Sequence, residues 1–554
     1  MTTLDPIAQS DRGRGPIGRP DAGESGDLLG ALGDLRAASR GGNRAATAAL
    51  VGLAVAGVAG VVLRFWCPSA LWLDETLSVN IAKLPLTRIP GALAHDGAPP
   101  LYYVALHLWM EVFGRSDAAV RSLSGLVSVG TIPLFWRAGH RLGGRPVAWA
   151  ALVLGVASPF AIEYAATARM YSLMVLWGVV GLLAVTRALA TPTRRNLVAV
   201  GAVTAAMLYT HYWATFVVAV TGGWLLWRIW REGRGVPIRA DQPGTRPVFG
   251  AMVLGSLLWL PWAPVFVYQT LHTGTPWTSA AGPADLLGIF GDYAGPGPWG
   301  LLLAYCLFAL AALGIFGRRA EATAATGGRR AVLLVTRPNP AIASVAAVLA
   351  GVLVLAVVAG AAAQAAFVAR YAAVVLPLFL LVVATGVGLF EPRVRAGLLA
   401  LLGVAGLLTG LGENGSARTQ AVQVAAVLNA QAQPGDVVVY CPDQLGPAVD
   451  RLLQVRGVDE LTFPRAIGPQ RVDWVDYTSA IDATHVDVFA SDVLSHVTSG
   501  HTLWLVERDG YPGFGTRCGE LRSWLDLLRP TGVTTVRENP GRFYESENLV
   551  RYPS

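Results

Sequence analysis

The side chains of this chain that could do chemistry are few, and they stand at the ends of apolar runs. Asp74 and Glu75 are adjacent in Ala-Leu-Trp-Leu-Asp-Glu-Thr-Leu at 70–77, and Lys83, His95 and Asp96 follow in the same polar stretch. Glu163, Arg169 and Tyr171 form a second group, His211 and Tyr212 a third, and Arg370 and Tyr371 a fourth. A carboxylate can take a proton from an attacking hydroxyl. Arginine and histidine can stabilise a departing phosphate through charge-assisted hydrogen bonds. These are the parts needed to move a sugar from a lipid phosphate to a hydroxyl. Asp74 and Glu75 are the expected catalytic pair, and the other ten residues the expected ligands of donor phosphate or sugar.

Such a site needs elements that bring the groups to one place. The 554 residues are 53% hydrophobic and 14% charged, with mean hydropathy +0.48, against about 25% charged residues in an ordinary soluble domain. Apolar runs long enough to span a bilayer, at ~20 residues each, alternate with short arginine-rich pieces. The chain therefore reads as an all-α polytopic membrane domain carrying a small soluble domain. Its net charge of +7 comes almost wholly from arginine, Lys83 being the sole lysine. We read this as the positive-inside signal rather than a nucleic-acid surface.

Residues 1–44, rich in Gly, Pro, Arg and Asp, read as a disordered cytoplasmic tail without a signal peptide. The run 99–113 is short and carries His107 and Glu111, so it reads as interfacial. The expected spans are then 45–65, 118–138, 146–163, 168–189, 195–210, 212–230, 248–270, 298–316, 339–360, 371–390 and 394–411, about eleven in all. Arg137, Arg141 and Arg145, then Arg187, Arg194 and Arg195, then Arg228, Arg231 and Arg234 all fall on one side. Arg318, Arg319, Arg329, Arg330, Arg393 and Arg395 join them. Counting 99–113 as a span would reverse every later loop. The protein is thus expected in the cell membrane, its N-terminus cytoplasmic and its candidate site and C-terminal domain outside.

Residues 45–411 form the expected catalytic membrane domain, and 412–554 an extracytoplasmic α/β domain. In the latter, 417–431, 445–453 and 518–528 read as helices, and 437–440, 502–506 and 532–537 as strands. It shows no glycine-rich phosphate loop and no nucleophile motif. The four cysteines form no zinc spacing, and Cys441 with Cys518 could pair if the domain is exported. Adjacent Asp74 and Glu75 chelate poorly and no Asp-x-Asp pair accompanies them. No cofactor is therefore required, a divalent cation being admitted but not predicted.

Leu-Asp-Glu-Thr at 73–76, His-Asp-Gly-Ala-Pro-Pro-Leu-Tyr-Tyr at 95–103 and Ala-Val-Arg-Ser-Leu-Ser at 119–124 resemble the GT-C glycosyltransferases. So do Ala-Arg-Met-Tyr-Ser-Leu at 168–173, Tyr-Thr-His-Tyr at 209–212, and Ala-Arg-Tyr at 369–371 with Leu-Pro at 376–377. Within that class they are similar to the protein O-mannosyltransferase and aminoarabinose-transferase-like group. The resemblance covers about 45–411. It implies an inverting transferase using a polyprenyl-phosphate sugar, with mannose or a pentose such as arabinose as the sugar. It also implies the first-loop aspartate, here Asp74, as base. The acceptor would be a cell-envelope glycan, a glycolipid or a protein. Some relatives carry a lysine or acid just before Pro-Pro where this chain has Gly97-Ala98, so a donor-phosphate role there passes to His95 or Lys83.

Blander readings compete. Arg169 and Arg370 could snorkel to headgroups, His211 could be an interfacial histidine with its bonds satisfied, and the Trp and Tyr residues could form an aromatic belt. A flippase of lipid-linked sugars would place its polar residues near the bilayer midplane on broken helices, whereas these lie at span ends. A non-catalytic envelope assembly protein would leave its outer carboxylates dispersed.

Overall fold

A computed structural model describes residues 27–234, 243–274, 281–320, 331–334, 340–363 and 367–554. It first corrects the tail. Leu28–Arg40 is a helix, α1, capped by the Asp27 side chain on the Leu29 N–H. Leu28, Ala31, Leu32 and Leu35 share one face by helical spacing. Ala31 is buried in a cluster with Trp136, Ala148 and Leu152, and Asp34 pairs with Arg145 at 2.8 Å. The expectation of disorder over 1–26 lies outside the described residues.

α2 (Arg44–Leu63) begins at an Asn43 side-chain cap. Three short helices follow: α3 (Leu73–Ala82), α4 (Ile89–Ala94) and α5 (Leu101–Phe113). At 13 residues α5 is too short to cross a bilayer. It buries Tyr102, Tyr103, Leu106 and Met110 and exposes Leu108, Val112 and Phe113, the two-sided character of an interfacial helix.

α6 (Asp117–Ala157) is two rods in one, broken at Gly143 and Gly144, where Gly144 takes φ +69°. These rods occupy the expected spans 118–138 and 146–163, but the second stops at Ala157. Ser158 there caps a separate helix, α7 (Pro159–Ala165), with Pro159 at its first position. Proline lacks the N–H that would continue the preceding helix. Glu163 therefore belongs to a connecting helix and not to a span.

α8 (Tyr171–Ala190), α9 (Arg194–Thr210), α10 (Ala214–Gly233), α11 (Thr245–Leu257) and α12 (Ala263–His272) continue the bundle. After α13 (Asp285–Ala294) come α14 (Gly297–Phe316), α15 (Pro340–Ala362), α16 (Leu376–Gly388) and α17 (Pro392–Gly415). Among the described residues seven helices are long and apolar enough to cross a membrane, counting α6 once and α11 with α12. α9, α10 and α16 occupy the remaining expected positions. A short antiparallel pair, β1 (Gly317–Ala320) and β2 (Ala331–Leu334), separates α14 from α15.

The C-terminal domain runs β3 (Ala417–Thr419), α18 (Ala421–Gln431), β4 (Val437–Cys441), α19 (Gly446–Leu452), β5 (Asp459–Thr462), α20 (Tyr477–Ala483), α21 (Val486–His496), β6 (Leu503–Glu507), α22 (Arg517–Leu528), β7 (Val533–Val536), β8 (Phe543–Glu545) and β9 (Asn548–Tyr552). Its sheet has the order β5-β4-β6-β9-β7, with β5, β4 and β6 parallel and β9 and β7 antiparallel to their neighbours. Strand alternation sends Val437 and Val439 into one core with α21 and α22, and Val438 and Tyr440 into another with α18 and α19. Cys441 and Cys518 are disulfide-bonded, tying β4 to α22.

Candidate active site

α3 is the element on which both domains meet. Leu73 and Leu77, one helical turn apart, enter the core of the C-terminal domain, whereas Val79, Ile81 and Ala82 enter that of the membrane domain. The Leu73 N–H donates to Glu545 Oε1 at 3.4 Å, so a carboxyl from β8 caps the free N-terminus of α3. Beside α3 opens a cavity of about 680 Å³, walled by the ends of α3, α9 and α12, the 96–99 and 369–374 turns, and the C-terminal domain.

Asp74 and Glu75 part company here. Glu75 is fully buried and bound twice by Arg121, Nε to Oε1 at 2.8 Å and Nη2 to Oε2 at 2.6 Å. It also accepts from the Ala168 N–H at 2.8 Å and lies 3.8 Å from Arg418. Burial opposes its ionisation, but the Arg121 charge and hydrogen bonds, with help from Arg418, hold its carboxyl below the usual range. The expectation that Glu75 is catalytic is thus corrected: its oxygens are committed and it does not line the cavity. Arg121 also binds the carbonyls of Ser69 and Ala70, at 2.7 and 3.1 Å. Glu75 and Arg121 are a clamp that sets the start of α3. Asp74 does line the cavity, with its Oδ2 4.0 Å from Arg370 Nη2.

Three cation candidates stand around Asp74. Arg169 Nη1 donates to the Asp74 carbonyl at 3.3 Å and to Ser78 Oγ at 3.1 Å. Arg370 sits in the 3₁₀ turn Ala369–Val374, whose seat depends on Tyr293 donating to the Ala372 carbonyl at 2.8 Å. Gly178 of α8 gives that turn room, because a Cβ there would strike the Val374 carbonyl. The Nε atoms of both arginines are buried without a hydrogen-bond partner. Burial disfavours both charges, but neighbouring groups with Asp74 prominent hold them firmly protonated. His211 differs: burial, then Arg169 and Arg370, push it down to about 3. Its Nδ1 accepts from the Trp213 N–H at 3.1 Å, leaving the proton on Nε2. It is a neutral donor, not a cation.

The other expected ligands divide. Asp96, Tyr212 and Tyr371 line the cavity. Asp96 accepts from Tyr103 Oη at 2.8 Å, and burial raises its carboxyl despite Arg169 and that bond. Tyr212 donates to Gln269 and accepts from Trp262 Nε1. Tyr371 packs on His211, ring centroids 5.1 Å apart. Tyr171 lies behind His211, ring centroids 6.1 Å apart, and does not line the cavity; its hydroxyl is buried without a hydrogen-bond partner. Glu163 is also behind the wall, a carboxyl that burial pushes up to about 7. Two expectations are corrected outright. His95 binds Asp473 of the C-terminal domain at 2.8 Å and fastens the domains. Lys83 is exposed and reaches Asn80 at 3.3 Å, away from the cavity. Both lie outside the cavity lining because α3 and α4 turn them toward the domain seam.

Several cavity residues were not among the expected ligands, and Trp72 reads in sequence only as part of an aromatic belt. Trp72, Gln269, Trp474, Arg508, Tyr511, Tyr544 and Glu545 meet there from segments up to 473 positions apart. Arg121 had a sequence signal: it is a charge near the outer end of an expected span, in a fragment already singled out. Among the described residues no group of three or more His, Cys, Asp or Glu could hold a metal ion.

Residues 97–236 match the family described as dolichyl-phosphate-mannose-protein mannosyltransferase. ArnT from Cupriavidus metallidurans bound to undecaprenyl phosphate is similar over 90% of this chain and 97% of its own, with TM-score 0.53 and 13% identity. The apo state of the same protein covers 91% and 98%, with TM-score 0.56 and 12% identity. No curated protein matches significantly. At such identities the likeness is one of fold, and the fold is the GT-C membrane fold that the sequence fragments resemble.

Proposed function

We propose that this chain is an inverting glycosyltransferase. It would take a hexose or pentose from a polyprenyl phosphate and place it on a hydroxyl of a cell-envelope acceptor. The observation that carries the reading is that the cavity-lining carboxylate of Asp74 stands 4.0 Å from Arg370, whose guanidinium is only partly bound. That gap leaves the carboxylate able to accept a proton instead of being locked in an ion pair.

In the reaction, an Asp74 oxygen takes the proton of the acceptor hydroxyl as its oxygen attacks the anomeric carbon. The bond from that carbon to the phosphate oxygen breaks on the opposite face, giving inversion. The polyprenyl phosphate leaves with the electron pair, and its growing negative charge falls to Arg370 and Arg169. His211 adds a neutral N–H donor from Nε2. The mannosyl-phosphate donor in the matched family's description and the carrier lipid in the ArnT structure support this donor chemistry. The arginine-rich loops at the far end of the bundle support a cavity that faces outward, in the plasma membrane. A flippase is less favoured because the charged groups cluster at one end of the helices.

The test uses the purified protein with a polyprenyl-phosphate sugar. Asp74→Asn should abolish transfer yet still bind undecaprenyl phosphate. Full transfer by that variant would end the assignment of Asp74.

A further inference from the structure

The cavity has two unlike ends. Arginines Arg169 and Arg370 stand at the end built by the membrane domain, whereas the C-terminal domain supplies aromatic rings and a carboxyl. Arg508 is the C-terminal domain's cation there, but it is engaged. It donates to the Tyr544 carbonyl at 3.3 Å, lies 5.6 Å over the Tyr511 ring, and is 4.0 Å from Glu538.

Two polar atoms at this end are buried without a well-formed hydrogen bond. Glu545, only 3% exposed, makes none through Oε2, although the Thr419 side chain lies close to the carboxyl, and Trp72 Nε1 is a donor without an acceptor. Both residues line the cavity, and Glu545 Oε1 receives the N–H of Leu73, the residue after Trp72. A buried donor or acceptor left unmet is destabilising, so a ligand that supplies both partners is favoured. A hydroxyl does both at once. Beside them the Tyr544 ring meets Trp72 edge-on at 5.4 Å and is itself 71% exposed, leaving a face open for stacking.

We propose that this end is an acceptor subsite for an uncharged carbohydrate. Glu545 and Trp72 Nε1 hold hydroxyls of the acceptor sugar, and Tyr544 and Tyr511 stack on its C–H face. An anionic acceptor is disfavoured, since it would bring its charge beside Asp74 while Arg169 and Arg370 stand at the opposite, donor end. The inference rests on the transferase reading and assigns the acceptor class within it.

The full-length protein is titrated with short neutral mannose and arabinose oligomers, with a threonine-bearing peptide and with a phosphorylated disaccharide. Tryptophan fluorescence and equilibrium dialysis read binding, and undecaprenyl phosphate is titrated separately. A neutral oligomer should bind, and Tyr544→Ala and Glu545→Gln should each weaken it roughly 5- to 30-fold, as loss of a buried hydrogen bond or stacked ring implies. Both variants should bind undecaprenyl phosphate as the parent does. The exposed Tyr544 ring makes its removal safe for folding, and Gln preserves the Leu73 contact. Preference for the peptide or phosphorylated probe, or oligomer binding indifferent to both variants, would overturn the proposal. Failure of undecaprenyl phosphate to bind the parent protein would instead count against the transferase reading.

Discussion

Exchanging the charges of Asp74 and Glu75 one at a time should give opposite phenotypes. Glu75→Gln removes a carboxylate that is fully buried and bound twice by Arg121, whose side chain is 6% exposed. The substitution leaves that guanidinium buried and uncompensated, a loss of about 3–5 kcal/mol for one partner of a buried pair. At about 2 °C per kcal/mol for a large domain, the melting temperature in detergent should fall by roughly 6–10 °C. Residual transfer should track the folded fraction. Asp74→Asn breaks only a 4.0 Å pair with part-exposed partners, worth about 1 kcal/mol or less. Its melting temperature should barely move, while transfer drops by about 10²–10⁴ for loss of a general base. A double variant, Glu75→Gln with Arg121→Met, should recover much of the stability, since it removes the orphaned charge. Because Glu75 is held below its ordinary pKa, the pair's contribution is complete above about pH 4.3 and declines only as pH falls through the folded value. If Glu75→Gln melted like the parent and lost transfer, while Asp74→Asn still worked, the two roles would be reversed.

Three further outcomes follow from the same contacts. Arg370→Met should weaken undecaprenyl phosphate binding about 10- to 100-fold, the worth of a charged hydrogen bond, without the stability loss of Glu75→Gln; unchanged affinity would remove Arg370 from the donor site. Burial raises Glu545 to about 7, so its neutral form stabilises the fold below the ordinary carboxylate pKa and that stabilisation is lost as pH rises through 7, by roughly 3 kcal/mol. The melting temperature should therefore fall between pH 5 and 8, and Glu545→Gln should flatten the fall. Cys441→Ser should destabilise the C-terminal domain by about 2–5 kcal/mol, seen as a lower melting transition that a reductant no longer shifts.

The bundle was largely legible because arginine alternation and apolar run length act locally along the chain. That is how 99–113 could be recognised as the non-spanning α5. The end of the span at 157 was less legible, because Ser158 and Pro159 form a cap inside a run that stays apolar to Ile162. α1 was hidden for the opposite reason. Its leucines are diluted by charge, and only the surface around Trp136 makes its one apolar face worth burying. The cavity's second half was out of reach, since Tyr544 and Glu545 come to Asp74 only through the fold of a domain whose β8 and β9 carry no local motif.

The adjacency of Asp74 and Glu75, which drew attention to the stretch, is what prevents them from acting together. Read as a loop, two neighbouring acids could share one site. In the first turn of a helix, successive side chains point about 100° apart, so a wall that meets one must turn its back on the other. Arg121, from the next long helix, takes the residue facing inward, and Arg169 and Arg370 meet the one facing the cavity. The same helical turn sends Leu73 and Leu77 into the second domain. Any movement of that domain on α3 would therefore shift Asp74, the proposed base, against Arg169 and Arg370. The His95–Asp473 and His272–Asp476 contacts between the domains should thus affect transfer although only one of those four residues, His272, touches the cavity. His95→Ala with Asp476→Ala should lower kcat while leaving undecaprenyl phosphate affinity intact, and a parallel loss of affinity would show that these contacts hold the donor instead of the geometry.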